Sequence, residues 1–455
     1  MRIGFDTIGN ALLIAYDGKP VVVTDPWFVG SAYFGSWGLS HEIPDEQREA
    51  ILGTEYVWIS HGHPDHLSWD SIALLKDKKL LLPNHVGRRI AEDLTKQGYD
   101  VQVLPDRKWV RLSERVQVLC ISDFNQDAIL LLDINGWLVV NQNDAGDYGW
   151  HRFVSGIVKK HGDKTVQLHL SSQYGDADML NYFDEAGNRI PPTKVVPDIG
   201  ARNLHRTQLI GCKYYGPFSS MHSYQREDSA WAREYGTSLE DYKLGWSHPY
   251  HELLPPFVRF DCEAGTYSGI GPKPNPTVTL APETFGDSWS EPLEKQDVLK
   301  IARYFRRIEH MNELLRFINV RVGGEDHIID INPKVPERGI TFEAPRHSFM
   351  TCIDWEIFDD VLIGNFMKVT LHGPWKSDRL YPDFTPFVAK YADNGRAYTA
   401  EEVAAYKREY ALRAPVDALA FEAQFQFEQA YRKLVPDTSV VHKLAKQMYW
   451  AIRKS

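Results

Sequence analysis

Cysteine is scarce in this sequence: the 455 residues include only Cys120, Cys212, Cys262 and Cys352. Their wide spacing excludes a CxxC zinc ribbon and the dense disulfide framework of a small secreted protein. We therefore expect four buried free thiols in a reducing compartment. The cytoplasm is the location that this expectation favours.

Long apolar runs are also missing. No uninterrupted apolar stretch approaches the roughly 20 residues that a helix needs to cross a bilayer. The N-terminal stretch lacks the basic region and the small-residue cleavage site of a secretory signal, and it carries Asp6 and Asp17. We predict a β-strand there, and no membrane insertion.

The chain has no excess of basic residues, since 51 Lys and Arg stand against 61 Asp and Glu, a formal net charge of −10 at pH 7. A negative chain repels polyanions on average, which argues against nucleic acid as a partner. Internal repeats and low-complexity tracts are absent as well. These absences favour an enzyme that acts on a small molecule, and they leave a homo-oligomer open.

What the sequence does contain is an alternation of strand-like and helix-like segments, the pattern of an α/β fold. The chain, at 455 residues, is longer than one ordinary domain. A stretch rich in Gly, Pro and Thr at 265–282 breaks all periodicity, so it is the best candidate for a boundary. We predict a catalytic domain at 1–275 and an accessory α+β domain of unknown role at 276–455.

Local signals place several elements. Asp17-Gly18 and Asn135-Gly136 each join two apolar runs and are typical of tight hairpin turns. The run YVWIS, at 56–60, predicts a short strand, and helical spacing resumes at 67–75 with Ser68 as a plausible N-cap. The segment between them, 61–66, should therefore be a strand-to-helix loop.

That loop reads HGHPDH and holds three histidines and one aspartate in six residues. Imidazole and carboxylate are good ligands for zinc, iron or manganese, and loop geometry lets several of them face one cavity. A merely solvated polar loop is the other interpretation, but this density is rarely structural. We predict a metal site that includes His61, His63, Asp65 and His66.

The loop resembles the HxHxDH signature of the metallo-β-lactamase superfamily, which implies an αββα sandwich and a dinuclear metal centre. The resemblance implies His61 and His63 at site one, and Asp65 and His66 at site two. It further implies a strand-end carboxylate, a bridging carboxylate after a later strand and a distant final histidine. Asp25, Asp144 and His222 match these three requirements, and Asp65 and Asp144 are the implied catalytic residues.

The chain departs from that signature where the superfamily has its third site-one histidine. The corresponding segment, ISDFNQD at 121–127, contains no histidine. Asp123 lies at about the right distance before the following strand, while Asp127 would face Asp144 if the register of the Asn135-Gly136 hairpin holds. We prefer Asp123 as the ligand and keep Asp127 as the alternative, and a single-metal centre stays open.

Longer stretches look like the metallo-β-lactamase-like portion of CMP-N-acetylneuraminate hydroxylases. The matching segments are TDPWFVGSAY, SHGHPDHLSWDSI, NQNDA and PFSSMHSYQREDSAWAREY, with a weaker echo in IDWEIFDDVLIG. Those hydroxylases use a Rieske iron-sulfur domain, and the paired Cys and His residues that such a domain requires are absent here. An electron-donor protein would be needed if this chain were an oxygenase.

The function that these features favour is metal-dependent hydrolysis, in which a metal-activated water attacks a small, anionic substrate. One or two divalent ions are implied: zinc or iron, with manganese compatible. Basic and aromatic residues near His222, among them Lys213, Arg226 and Arg233, could line a pocket for an anion or form a packed core. Two alternatives remain: an iron-dependent oxygenase, and a non-catalytic metal- or ligand-binding protein.

Overall fold

The computed structural model describes residues 2–171, 181–192, 198–335, 337–375, 379–381, 383–388 and 395–434, without the side chains of 428–434. Three large sheets and one two-stranded sheet are present in these ranges. None of the described helices is both long and apolar enough to cross a membrane.

The first sheet has eight strands in the spatial order β19-β18-β1-β2-β3-β5-β6-β7. Strands β3, β5, β6 and β7 run parallel, and the others pair antiparallel. Its strands, in chain order, are β1 (Ile3–Ile8), β2 (Leu12–Asp17), β3 (Lys19–Thr24), β5 (Tyr56–Trp58), β6 (Lys79–Leu82), β7 (Asp100–Val103), β18 (Val258–Asp261) and β19 (Thr266–Gly269).

The second sheet has seven strands in the order β17-β15-β12-β11-β10-β9-β8. Strands β11, β12, β15 and β17 run parallel. Its strands are β8 (Trp109–Arg111), β9 (Val116–Ser122), β10 (Ala128–Ile134), β11 (Trp137–Asn143), β12 (Thr165–Leu170), β15 (Tyr214–Phe218) and β17 (Glu252–Leu253).

The central strands of both sheets are apolar on both faces. One face of each sheet packs against the other sheet, and the opposite face is covered by helices. Leu130 of β10 and Trp58 of β5 belong to the core between the sheets. The next residue, Leu131, points to the opposite face and packs on Val154, as the twofold alternation of a strand requires. Helices α1 (Asp45–Leu52), α2 (Trp69–Ala73) and α3 (Arg89–Lys96) cover the first sheet, and α4 (His151–His161) and α5 (Ile199–Ile210) cover the second. The predicted αββα layering is confirmed.

The C-terminal part builds a third sheet, with the order β14-β13-β23-β22-β20-β21. Its strands are β13 (Tyr182–Phe183), β14 (Arg189–Ile190), β20 (Phe317–Val322), β21 (Glu325–Asp330), β22 (Gly339–Glu343) and β23 (Lys368–His372). The helices of this part are α6 (Lys295–Arg307), α7 (Glu309–Leu314), α8 (Arg346–Trp355), α9 (Phe358–Ile363), α10 (Thr385–Val388), α11 (Ala400–Arg413) and α12 (Pro415–Leu434). A separate core, with Phe305, Phe342 and Phe358 at its centre, holds this α+β unit together.

Smaller elements complete the description. The two-stranded sheet pairs β4 (Trp37–Leu39) with β16 (His222–Tyr224). Short 3₁₀ helices occur at Ala230–Tyr235, Asp241–Lys243 and Pro282–Phe285.

Several local predictions are confirmed. Gly18 turns between β2 and β3 with a positive φ of 77°, and Asn135-Gly136 pairs Ile134 with Trp137 across its turn. Ser68 is the N-cap of α2, where its side chain accepts a hydrogen bond from the Ser71 amide. The four cysteines are free and buried.

The two units touch at several places along the chain. The hairpin of β13 and β14, at 182–190, joins the C-terminal sheet although it precedes residue 275. In the other direction, buried Arg226 forms an ion pair with Asp287 across the predicted boundary. The boundary itself stays a prediction.

Candidate metal centre

The parallel strands of each sheet end at one edge, and the candidate ligands follow those ends. Strand β3 leads into Asp25, and β5 leads into the 61–66 loop. In the second sheet, β11 leads into Asp144, and β15 into the segment before His222. Parallel strands present their carboxyl ends to the same side of a sheet, so residues distant in sequence meet there.

The backbone at these strand ends is strained. Asp25 and Asn143 each have a φ of 41°, and Ser219 has a φ of 53°. Residues other than glycine rarely adopt the left-handed region, and such conformations cluster at functional sites. The three strained positions lie at or directly after the ends of β3, β11 and β15, next to the candidate ligands.

His66, Asp65 and Asp144 form the first part of the centre. Nε2 of His66 lies 3.1 Å from Oδ2 of Asp144 and 3.4 Å from Oδ2 of Asp65. Among the described residues, donor atoms of His61, His66 and Asp144 lie within 4.8 Å of one another, close enough to share one metal ion. The structure therefore brings both halves of the sandwich to one point.

His61 and His63 form the second part. Nε2 of His61 lies 2.8 Å from Nδ1 of His63, and the His61 ring is 4.2 Å, between centroids, from that of His66. At 2.8 Å one of these two nitrogens carries a proton and donates it to the other. The contact places two possible nitrogen ligands beside His66.

Each of these three histidines uses its other nitrogen on an outer partner. Nδ1 of His61 lies 2.9 Å from Oγ of Ser60. Nδ1 of His66 lies 3.2 Å from the same hydroxyl oxygen, with Oδ2 of Asp25 also 3.2 Å away as an ion-pair contact. Nε2 of His63 lies 2.9 Å from Oδ2 of Asp359. Metal-binding histidines in proteins have this same arrangement, because the outer hydrogen bond fixes the tautomer and the ring orientation.

Asp65 is held from both sides. The side-chain amide of Asn10 donates to its Oδ2 at 2.8 Å, and the Tyr33 hydroxyl donates to its Oδ1 at 2.6 Å. Asp25 has a comparable role, because its Oδ1 accepts hydrogen bonds from the amide and the hydroxyl of Ser60, at 2.7 and 3.0 Å. These contacts fix the loop before any ion binds.

The electrostatics of the cluster call for a cation. Burial disfavours the charged form of His66, yet the carboxylates of Asp65, Asp144 and Asp25 raise its pKa well above the ordinary value. Among the described residues, no Lys or Arg forms an ion pair with Asp25 or Asp65, although both are fully buried. Three buried or partly buried carboxylates around one imidazole leave an excess of negative charge, which a further proton or a metal ion would stabilise. The donor set of imidazole nitrogens and carboxylate oxygens fits zinc, iron or manganese.

His222 begins β16, in the two-stranded sheet that follows β15. Its ring stacks on Trp37 with centroids 3.4 Å apart. Its Nδ1 is shielded from solvent and has no hydrogen-bond partner among the described residues. Burial lowers the pKa of His222 to about 3, while Asp144 acts in the opposite direction. A neutral imidazole near Asp144 suits a ligand, and the role stays a prediction.

Asp123 and Asp127 lie in the turn between β9 and β10. Oδ1 of Asp123 accepts the Asn125 amide at 2.8 Å, and Oδ2 of Asp127 accepts the Asn125 side chain at 3.0 Å. The hairpin register ends at the pair Leu130–Asn141, before Asp127 could pair with Asp144. Asp123 borders a cavity of about 590 Å³ between this turn and helices α11 and α12. Neither residue belongs to the group that can share one ion, so the third site-one ligand stays a prediction.

Basic residues lie elsewhere than the sequence suggested. Arg226 is occupied by Asp228 and Asp287, and Lys213 bonds the carbonyl of Tyr250. Arg206, one helical turn from Arg202 on α5, lies 3.4 Å from Nε2 of buried His169, whose Nδ1 lies 2.8 Å from the carbonyl oxygen of Asn143, the residue before Asp144. This pair gives positive charge near the cluster.

Sequence reasoning missed Asn10, Tyr33 and Asp359 as neighbours of the centre. Asn10 and Tyr33 carry no motif of their own, and only their contacts to Asp65 identify them. Asp359 lies within IDWEIFDDVLIG, a segment that the hydroxylase resemblance had marked without indicating a role.

Two facing sheets, helices on both outer faces and an HxHxDH loop at the strand ends occur together in this chain. It has the metallo-β-lactamase fold. No protein-family model matches the chain. Among solved structures it is similar to the metallo hydrolase Igni18 from Ignicoccus hospitalis, with a TM-score of 0.37, 13% identity and coverage of 59% of this chain and 98% of that one.

Curated relatives give a second likeness. The cytidine monophosphate-N-acetylneuraminic acid hydroxylase of Danio rerio is 28% identical over 146 residues, which cover 30% of this chain and 25% of that protein. The enzyme of the same name from Xenopus laevis is 29% identical over 136 residues, 28% of this chain and 23% of that protein. The matched stretch thus spans about a quarter of the length of these curated relatives.

Proposed function

We propose that this protein is a metal-dependent hydrolase that uses a metal-activated water on a small, anionic substrate, in the cytoplasm. The observation that carries the proposal is the convergence of His61, His66 and Asp144 from both sheets. His63 and Asp65 adjoin this group, and His222 and Asp123 are the proposed further ligands. A divalent ion held there would supply Lewis acidity and lower the pKa of a bound water.

The chain's own residues have separate tasks. The imidazoles of His61, His63 and His66 would hold the metal ion. Their outer partners keep each ring in one orientation. Oδ2 of Asp144 faces the cluster at the end of β11 and can accept a proton from the attacking water. Asp65 stays oriented by Asn10 and Tyr33.

Positive charge beside the cluster favours an anionic substrate. Nη1 of Arg206 lies 3.4 Å from Nε2 of His169 and 3.5 Å from the carbonyl oxygen of Leu170. Burial lowers the pKa of Arg202, and the charge of Arg206 lowers it further. Two half-buried guanidinium groups one helical turn apart repel each other, and a bound anion would reduce that repulsion. We assign Arg206 to substrate binding.

The test is a hydrolysis panel with the metal-loaded protein. Lactones, carboxylate-bearing esters, phosphodiesters and amides would be assayed with wild type, Asp144→Asn and Arg206→Ala. We expect turnover of at least one anionic class, a loss of about 100-fold or more with Asp144→Asn, and a raised KM with Arg206→Ala. Arg152→Ala, at an exposed position of α4, is the matched control and should behave as wild type. If no class is turned over, the hydrolase proposal is wrong.

The likeness to hydroxylases supports a second candidate, an iron-dependent oxygenase. Hydroxylation would place one oxygen atom of O₂ in a C–H bond and reduce the other to water with two electrons and two protons. Those electrons would have to come from a donor protein. Oxygen uptake with chemical reductants, measured on anaerobically purified protein, tests this candidate. Bound iron with substrate-dependent uptake would support it, and zinc alone without uptake would exclude it.

If the protein binds metal but shows neither activity, the third alternative, a non-catalytic metal- or ligand-binding protein, gains support.

A further inference from the structure

The C-terminal unit sends a carboxylate into the metal centre. Asp359 lies on helix α9, which begins at Phe358 and ends at Ile363, in the part of the chain whose role the sequence did not indicate. It is 296 residues from His63 in the sequence and is almost completely buried. Its Oδ2 lies 2.9 Å from Nε2 of His63.

We propose that Asp359 is a positioning residue of the metal centre, and that the C-terminal unit thereby completes the site. An ionised carboxylate can only accept, so the hydrogen bond requires a proton on Nε2 of His63. The neutral ring then has its lone pair on Nδ1, the atom that faces Nε2 of His61 at 2.8 Å. This inference rests on the metal binding proposed above.

The geometry distinguishes this role from direct ligation. Nδ1 and Nε2 point away from opposite sides of an imidazole ring, so a carboxylate on Nε2 lies outside the space that Nδ1 faces. Asp25 lies 3.2 Å from Nδ1 of His66, on the side of the ring opposite the nitrogen that faces Asp144, although the hydrogen bond of Nδ1 goes to the Ser60 hydroxyl. His63 and His66 thus each have a carboxylate on the outer side of the ring, from α9 and from the end of β3.

The helix is fixed where it can hold this position. The Ser36 hydroxyl donates to the Gly364 carbonyl at 2.6 Å, directly after α9. Ile363 packs in a buried cluster with Trp27, Tyr33 and Trp37. Tyr33 is also the donor to Asp65, so the surface on which α9 packs is continuous with the centre.

A second attachment lies before the helix. The guanidinium of Arg89, on α3, donates to the carbonyls of Trp355 and Glu356 at the end of α8. Helix α9 is therefore held on both sides by the metallo-β-lactamase unit. A surface contact between separately functioning domains would not require a buried carboxylate aimed at a histidine of the HxHxDH loop.

The test compares three substitutions in the full-length protein. Asp359→Ala removes the acceptor, whereas Asp359→Asn keeps an oxygen that can accept from Nε2. Asp354→Asn is the matched control, because Asp354 is exposed on the same helical hairpin and pairs with Lys300. Affinities for zinc and cobalt would be measured by competition with a chelator, together with the cobalt ligand-field spectrum and the thermal midpoint.

We expect Asp359→Ala to weaken metal binding about 10- to 100-fold and to change the cobalt spectrum. Asp359→Asn should retain the wild-type spectrum with a smaller loss of affinity, and Asp354→Asn should match wild type. In ¹⁵N spectra of histidine-labelled, zinc-loaded wild type, His63 should carry its proton on Nε2.

Two outcomes would count against separate claims. If wild type binds no metal, the proposed function fails. If wild type binds metal while Asp359→Ala binds it equally well with an unchanged spectrum, the positioning role is wrong. Should Asp359→Ala fail to fold, Asp359→Asn and the protonation state of His63 still decide, and a proton on Nδ1 would overturn the proposal.

Discussion

Nε2 of His66 lies 3.1 Å from Oδ2 of Asp144, although 78 residues separate them. The histidine follows a strand of the first sheet, and the aspartate follows a strand of the second. Their contact joins the loop after β5 in the first sheet to the loop after β11 in the second sheet.

Asp25 should prove essential to the loop. Asp25→Ala removes the acceptor for the buried Ser60 amide, which costs about 1 to 3 kcal/mol of stability. It also removes the acceptor that orients the Ser60 hydroxyl, which is bonded to Nδ1 of His66, so metal affinity should fall about 10- to 100-fold. Chelator competition and thermal unfolding measure both effects. Asp77→Ala, at an exposed site, is the control, and unchanged affinity in Asp25→Ala would contradict the role.

Substitutions in the β9–β10 turn test whether Asp123 or Asp127 is the third ligand of site one. If Asp123 is that ligand, Asp123→Ala should lose one bound ion per chain, whereas Asp127→Ala should keep the wild-type number. The reverse result would identify Asp127. Elemental analysis of the purified variants gives the count. Wild-type content in both variants would exclude both aspartates, and one ion in wild type would indicate a single-metal centre.

His169 should make stability depend on pH. Burial, together with the charge of Arg206, lowers its pKa to about 3, whereas the unfolded chain has a histidine pKa of about 6.5. Between these values the unfolded state binds more protons, so stability should fall as the pH drops from about 6.5 toward 3.

One such group contributes a slope of at most about 1.4 kcal/mol per pH unit. Denaturant unfolding at several pH values should show a shallower acid loss for His169→Gln than for wild type. Equal slopes in the two proteins would contradict the assignment.

The predictable part of the fold was carried by local patterns. The Asn135-Gly136 turn fixes the register of β10 and β11 because few other dipeptides adopt two positive φ angles. Ser68 marks the start of α2, and the HxHxDH loop lies where strand and helix signals leave a gap. The sequence predicted its three imidazoles and Asp144 as ligands; the structure places His61, His66 and Asp144 close together, and their binding of a metal stays a prediction.

Contacts between distant segments were not predictable from one sequence. Nothing in IDWEIFDDVLIG shows that Asp359 reaches His63, because the packing of α9 depends on Ser36, Trp37 and other residues far away in the chain. The β13–β14 hairpin is similar, since its strands are two residues each and their partner strand begins at Lys368. Short strands carry too little periodicity to indicate their sheet.

His61, His66 and Asp144 together should hold a metal ion. The direct measurement is elemental analysis of the purified full-length protein and of His61→Ala, His66→Ala and Asp144→Ala. Only variants that are as fully folded as wild type are compared. We expect one or two equivalents of zinc, iron or manganese in wild type and a loss of at least one equivalent in each variant. Wild type without bound metal after reconstitution, or variants with undiminished content, would contradict the account.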